Sequence, residues 1–325
     1  MKVLVLGGTG VISREVVHEL LTMGHDVTAF NRGKNKSVLT STVRIIQGDR
    51  KHKDSFKKAF RSESFDVVID MISFDKEDAS TTLDAFPDVQ QIIFCSTVAA
   101  YKRPLKTIPT TESSEDLFDN PQFSYSFNKA EMERYLLERQ GSTSPAITVL
   151  RPSLTYGIGG TNLGVLRQNR NIVDRIMKGK PLVMFGDGTN PWNFTFAPDV
   201  ARAFAGSAGN PKTYGQCYHV THEALYQWDD LYYEFGKILG KEPNIVHVPT
   251  DFLMSADPNL FGHLYFEKMY PGVFDNSKIK RDVPNYNPTI NLAAGLEMMT
   301  SWYNESNFPL DEEKDQFEDY LIRSF

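Results

Sequence analysis

Lys2-Val-Leu-Val-Leu-Gly7-Gly8-Thr9-Gly10-Val11-Ile12-Ser13 opens the chain, and its reading decides the rest. Residues 2–6 are a run of β-branched and aliphatic side chains, the composition of a strand buried on both faces. Beyond the glycines, Val11 and Ile12 are followed by Val16, Val17, Leu20 and Leu21 at helical spacing. Strand, tight glycine turn and helix together are the context in which such a turn cradles a dinucleotide. Gly7 lets the chain reverse, Gly10 lets backbone N–H groups approach a pyrophosphate, and the helix N-terminus adds partial positive charge. The third position of the G-x-x-G-x-x-G spacing holds Ser13, still small enough for helix and strand to pack closely.

The 325 residues suffice for a dinucleotide domain carrying a smaller lobe. Charged residues make up 23% and hydrophobic ones 41%, an ordinary globular balance, and the net charge of −6 leaves no footprint for nucleic acid or an acidic membrane. Two cysteines, Cys95 and Cys217, cannot build a disulfide framework. The seven histidines show no paired metal spacing, and His219 and His222 have no third ligand in view, so no metal is expected. With a strand predicted from residue 2 and no apolar run of spanning length, neither a targeting segment nor a membrane span is expected. The expected setting is the cytoplasm.

Further strands are predicted at residues 27–30, 43–47, 65–71 and 91–96, separated by helical stretches that include 75–86. This alternation indicates an α/β, Rossmann-type doubly wound parallel sheet. The second strand ends at Asn31-Arg32-Gly33, where an acid would select the free ribose hydroxyl of NAD. No acid stands there, and the guanidinium of Arg32 suits a 2′-phosphate, which favours NADP over NAD. After the third strand, Gly48-Asp49-Arg50 offers Asp49 either to the adenine amino group or as a turn or helix-cap carboxylate. The cofactor is expected along Gly7, Thr9, Gly10, Val11, Ile12, Asn31, Arg32, Asp49, Arg50, Met71, Ile72, Ser73, Lys129 and Pro152.

Tyr125-Ser-Phe-Asn-Lys129 places a phenol and an ammonium four residues apart, on one face of a helix. A nearby lysine is expected to lower the phenol pKa so that the tyrosine can move a proton near neutral pH. A hydroxyl from Ser96-Thr97, at the end of the fifth strand, would orient the substrate oxygen.

These stretches resemble the extended and atypical short-chain dehydrogenase/reductases, the NAD-dependent epimerase/dehydratase group. The likeness is carried by Gly7 to Gly10, Gly48-Asp49, Phe94-Cys-Ser-Thr-Val-Ala-Ala-Tyr101, Tyr125 to Lys129, and Arg151-Pro-Ser-Leu-Thr-Tyr-Gly157. It continues through Phe185-Gly-Asp-Gly188, Phe194-Thr-Phe-Ala-Pro-Asp199 and Phe274-Asp-Asn-Ser-Lys278. The resemblance implies a Thr97, Tyr125, Lys129 triad, Pro152 beside the nicotinamide, and a homodimer. Departures narrow the activity. Val98 and Ala99 stand where sugar 4,6-dehydratases carry an Asp-Glu pair, and neither can protonate a leaving hydroxyl or take a proton. Trp192-Asn193 replaces an arginine that binds a nucleotide diphosphate, Leu154 replaces an asparagine of uridine-diphosphate-sugar epimerases, and Lys102 replaces a glycine.

The expected layout is a dinucleotide domain over 1–160, rejoined by 190–220, with 161–325 mainly a substrate lobe. Arg167, Arg170 and Arg175 read as a solvated helix surface in preference to an anion site. The aromatic-rich stretch 252–274 reads as lobe core or as a pocket roof. Residues from 310 onward read as a charged surface helix. The leading reading is an NAD(P)-dependent oxidoreductase or epimerase working on a hydroxyl or keto carbon of a small molecule, such as a sugar or nucleotide sugar. The alternative is a non-catalytic dinucleotide-binding regulator or RNA-binding member of the same group.

Overall fold

A computed structural model describes residues 1–33, 39–140 and 145–325. The first half alternates strand and helix: β1 (Lys2–Leu6), α1 (Val11–Thr22), β2 (Asp26–Asn31), β3 (Arg44–Gln47), α2 (Lys53–Ala59), β4 (Val67–Asp70), α3 (Lys76–Ala85), β5 (Gln91–Cys95), α4 (Ser124–Leu137) and β6 (Ala146–Pro152). The second half runs β7 (Leu154–Tyr156), α5 (Asn169–Lys178), β8 (Pro181–Phe185), β9 (Pro191–Trp192), β10 (Phe194–Phe196), α6 (Ala197–Ser207) and β11 (Cys217–Val220). It continues with β12 (Tyr226–Gln227), α7 (Trp228–Leu239), β13 (Asn244–Val248), α8 (Thr250–Ala256), α9 (Pro258–His263), α10 (Ser277–Asp282), α11 (Leu292–Ser306) and α12 (Glu312–Ser324).

Seven of these strands form one parallel sheet in the order β11-β6-β5-β4-β1-β2-β3. Because side chains alternate across a strand, each hydrophobic run serves two cores. Val3, Val5, Val27, Ala29, Val67 and Ile69 face one side, where Val16, Val17 and Leu20 of α1 and Phe204 of α6 cover them. Leu4, Leu6, Phe30, Val68, Ile92 and Phe94 face the other, against Phe56, Phe60, Phe86, Met132 and Leu136. The strand order reverses at β1 and β4, and their carboxyl ends open the crevice in which open α/β sheets bind ligands.

The remaining strands pair locally, β7 with β10, β8 with β13 and β9 with β12, around a separate core that includes Trp192, Phe194, Trp228, Phe235, Leu253 and Phe261. Within residues 161–325, α6, β11 and α10 pack back on the sheet through Val200, Phe204, Tyr218 and Ile279.

Two surface expectations are corrected here. Arg175 is wholly buried, with Asp315 and Asp319 each 2.6 Å away and Glu318 at 3.3 Å. The reason is α12, which closes over α5 and β8 and brings Glu318 inside, where it accepts from Val183 N–H at 2.9 Å and Gln168 Nε2 at 3.0 Å. The charged C-terminal helix is thus a clamp with one buried face. Arg170 lies over the Tyr303 ring at 5.9 Å, so the three arginines do not form one cluster.

Candidate active site

The glycine turn is held by contacts that tolerate no side chain at its first position. Gly7 has φ +89°, and a Cβ there would fall 2.3 Å from Ile72 Cγ2. Ser13 does more than stay small. Its hydroxyl donates to Gly7 C=O at 2.5 Å and accepts from Gly10 N–H at 2.8 Å, tying strand end, turn and helix together. The Gly10 N–H is therefore engaged within the turn, and the groups offered outward are those of Val11 and Ile12 in the first turn of α1. No acidic residue stands in that turn to neutralise the helix dipole. The chemistry of this cradle fits the pyrophosphate of a dinucleotide.

Across the cavity, α4 presents Tyr125 and Lys129 one turn apart. Thr97 follows β5 and caps the short turn 98–100, its Oγ1 accepting from Ala99 N–H at 3.1 Å. Tyr125 lines the same cavity as Thr97, and its side chain is open to it. Burial around the hydroxyl, with Cys95 and Glu267 nearby, raises its pKa above the ordinary value, although the Thr97 side chain opposes this. That direction is the reverse of the one expected from Lys129. Desolvation outweighs the ammonium here, and the ammonium is engaged elsewhere: Lys129 Nζ donates to Ser73 C=O at 2.6 Å and Cys95 C=O at 2.8 Å. Burial also lowers the pKa of Lys129, against the pull of Cys95 and Asp70.

A buried network stands behind Thr97. Ser96 Oγ donates to Glu133, which also accepts from Arg151 Nε at 2.8 Å, and Arg151 donates to Tyr101 Oη at 2.6 Å. Tyr101 in turn donates to His219 Nε2 at 2.6 Å, because His219 Nδ1–H is directed at Asp275 C=O, 3.0 Å away. Burial and the Arg151 charge push His219 down to about 3, so it is a neutral link in the frame. Glu133 was readable in retrospect, four residues beyond Lys129 and on the same face of α4.

Gly7, Gly10, Val11, Ile12, Met71, Ile72, Thr97, Tyr125, Lys129 and Pro152 line a single cavity of about 800 Å³. Arg32 and Asp49 lie apart from it and line, with Gln47 and Gly48, a hollow of about 600 Å³ beyond β2 and β3. Four expected cofactor residues line neither space. Arg50 is buried in an ion pair with Asp70 at 3.1 Å and also donates to Thr82 Oγ1 at 2.8 Å, so its guanidinium is committed inside the protein. Ser73 donates its hydroxyl to Asp70 at 2.7 Å. Burial would raise the Asp70 carboxyl, but Arg50, Thr82 and Ser73 hold it below the usual range. Asn31 turns its Oδ1 to Gly33 N–H at 2.8 Å, and Thr9 N–H closes on Gly7 C=O at 2.8 Å.

The lobe wall of the cavity carries Arg167 and, with it, residues that the sequence did not single out: Asn162, Asn259, Glu267 and Lys268, with His263 from the aromatic stretch. Arg167 has φ +53°, a left-handed conformation, and precedes α5; its side chain is exposed, as expected, and also lines the cavity. Glu267 and Lys268 belong to a π-helical turn, Leu264–Lys268, that follows α9. The stretch 252–274 is thus both lobe core, through Phe261 and Leu264, and pocket wall. Trp192 and Asn193 face elsewhere. Trp192 is fully buried, and the Asn193 amide donates to His222 C=O at 3.0 Å and accepts from Phe274 N–H at 2.9 Å. Among the described residues, no group of three or more His, Cys, Asp or Glu side chains could hold a metal ion.

Residues 3–219 match the NAD dependent epimerase/dehydratase family, and the chain belongs to it. It is 27% identical over 286 residues to 2'-dehydrokanamycin reductase of Streptomyces kanamyceticus, covering 88% of this chain and 80% of that one. It is 30% identical over 271 residues to the chloroplast stem-loop binding protein of 41 kDa b of Arabidopsis thaliana, covering 77% and 67%. The fold is also that of Thermus thermophilus UDP-glucose 4-epimerase in complex with NAD, with TM-score 0.74, 20% identity, and coverage of 94% and 99%. Related proteins thus include epimerases and reductases, and structural neighbours bind NAD.

Proposed function

We propose that this protein is an NAD(P)-dependent oxidoreductase or epimerase acting at a hydroxyl- or keto-bearing carbon of a small molecule. The observation that carries the reading is the meeting of Thr97, Tyr125 and Lys129 on the wall of one cavity, across from the Gly7–Gly10 turn. When bound, the nicotinamide supplies or accepts the hydride. Thr97 Oγ1 holds the substrate oxygen, and Tyr125 Oη gives or takes the proton at that oxygen. With its pKa raised, Tyr125 is protonated at neutral pH and is the acid that reduction of a ketone needs. Lys129 has three donors, and the two on Ser73 and Cys95 leave one for a ribose hydroxyl. Pro152 flanks the ring site. The α1 N-terminus receives the pyrophosphate, and Arg32 with Asp49 receives the adenosine end, with NADP preferred over NAD because the guanidinium of Arg32, at the end of β2, suits a 2′-phosphate.

The test is Tyr125→Phe: turnover should fall by about 10²–10⁴ while cofactor affinity is unchanged. Turnover equal to the wild type would remove Tyr125 from the chemistry. Nicotinamide that co-purifies and survives turnover marks an epimerase, and net consumption of NADPH marks a reductase. We also propose a homodimer, as the family resemblance implies, to be measured by light scattering. Among the described residues no helix is long and apolar enough to cross a membrane.

A second reading has one specific support, the likeness to a stem-loop binding protein over 77% of this chain. In that reading the cavity holds a dinucleotide without chemistry and the outer surface binds RNA. The net charge of −6 opposes it. RNA affinity that falls steeply with salt, together with no turnover on any carbonyl compound, would favour it over the enzyme.

A further inference from the structure

We propose that the lobe wall of the cavity is an oxyanion subsite, in which Arg167 and Lys268 grip a single carboxylate or phosphate carried by the substrate. The inference rests on reading this cavity as the oxidoreductase or epimerase site, and it names the substrate class: a small hydroxy or keto compound bearing one such anion.

The wall is built with an excess of fixed positive charge. Arg167 and Lys268 both line the cavity, and the only acidic side chain beside them among its lining residues is Glu267. A further cation, Arg103, lies behind the wall within reach of the Glu267 charge. It is stacked 5.9 Å from the Trp192 ring and 5.6 Å from the Phe274 ring, with its Nε and one Nη buried without a partner. One carboxylate cannot balance these cations, and within the described residues it forms no contact ion pair with any of them. Arg167 makes no hydrogen bond through its guanidinium among the described residues. Lys268, 7% exposed, makes no hydrogen bond through its Nζ among the described residues, and that Nζ lies 5.5 Å from the Trp228 ring. Lys268 is a buried cation, costly without a partner, and Arg167, though exposed, lines the same cavity; an anion entering between them recovers charge-assisted hydrogen bonds that the empty site lacks.

Three further features fix this as a site. The left-handed backbone at Arg167 is a strained conformation for a side chain of this size, and it is held from outside by Lys314, whose Nζ donates to Arg167 C=O at 2.9 Å. Glu267 and Lys268 come from a π-helical turn, which sets both on the cavity in place of a regular helix face. His263, 3% exposed and also lining the cavity, donates Nδ1–H to Leu260 C=O at 2.8 Å and leaves Nε2 without a partner among the described residues. Burial, with Lys268 and Arg167 alongside, keeps that ring neutral, so Nε2 is an acceptor for a substrate hydroxyl adjoining the anion. Trp192 and Asn193 take no part, since both are turned into the lobe.

The experiment uses the full-length protein saturated with NADP⁺, which occupies the phosphate-binding cofactor end, and titrates it with inorganic phosphate, malonate and spermidine. Tryptophan fluorescence is the readout because Lys268 lies on Trp228. Saturable binding of phosphate, malonate or both is expected, with phosphate alone marking a phosphoryl substrate and malonate alone a carboxylate. Arg167→Met and Lys268→Met should each weaken it by about tenfold or more, the worth of one charge-assisted contact. Glu267→Gln should tighten it, a change in the direction that a folding defect does not produce. The proposal is overturned if neither anion saturates, if spermidine binds in their place, if both methionine variants bind like the wild type, or if Glu267→Gln fails to tighten binding. NADP⁺ affinity is measured separately for every variant. Its absence in the wild type would refute the cofactor reading, while its presence without anion binding refutes the subsite alone.

Discussion

Ser13 replaces a family glycine with two hydrogen bonds, and its effect can be measured. Ser13→Ala keeps the small size but removes the donor to Gly7 C=O and the acceptor for Gly10 N–H, and should lower stability by about 1–3 kcal/mol in denaturant unfolding. Gly7→Ala should be worse, since the new methyl meets Ile72 and the backbone sits at φ +89°. Lys268 allows a pH prediction with a definite sign. Burial pulls it down to about 8, Glu267 pulling it back up and Arg167 adding to the fall. The neighbouring His263 is neutral throughout this range and Tyr125 is protonated at the pH of the change. The ammonium is therefore complete below pH 8 and lost above it. Malonate affinity should decline as pH rises through about 8, and the decline should vanish in Lys268→Arg, whose guanidinium stays charged. The placing of Tyr125 and Lys129 one turn apart on the cavity was legible from their spacing, and that of a hydroxyl from the end of the fifth strand, with Thr97 singled out by the family resemblance. Arg167 was named only within a basic helix read as solvated surface, and Lys268 was not singled out, because a π-turn breaks the 3.6-residue period by which faces are assigned.

Among the elements, the strands of the sheet were legible because each is a short apolar run feeding two cores, and their ends moved by only a residue or two. The predicted strand at 65–71, for example, forms as Val67–Asp70. The helix α12 was not legible as a clamp. Its acids mark an N-terminus facing solvent, and nothing local shows that Glu318 will enter the lobe to meet Arg175. Burial pushes Glu318 up to about 7 while Arg175 draws it down, so the pair depends on both partners. Arg175→Ala should strand that carboxyl, together with Asp315 and Asp319, and cost about 3–5 kcal/mol. The loss would appear as a lowered unfolding midpoint. The same reasoning explains Arg50, which sequence placed at the cofactor. An arginine after a strand end can reach out or fold back, and the buried Asp70 decides for the latter.

At the scale of the whole molecule, the sheet order brings the ends of β1, β4 and β5 to one crevice, and the lobe closes it from the far side. The doubly wound fold followed from the strand and helix alternation, and membership of the epimerase/dehydratase family agrees with it. The substrate was hidden because it depends on which lobe residues meet the sheet, a long-range matter that no local pattern carries. The central claim concerns one geometry: a dinucleotide lying from Arg32 across the Gly7–Gly10 turn to Thr97, Tyr125 and Lys129. The most direct measurement is a crystal structure of the full-length protein grown with NADP⁺. It should show the pyrophosphate at the N–H groups of Val11 and Ile12, the 2′-phosphate at Arg32, and the nicotinamide beside Pro152 with Lys129 on its ribose. A cofactor bound elsewhere, or a nicotinamide turned away from Tyr125 and Thr97, would contradict it.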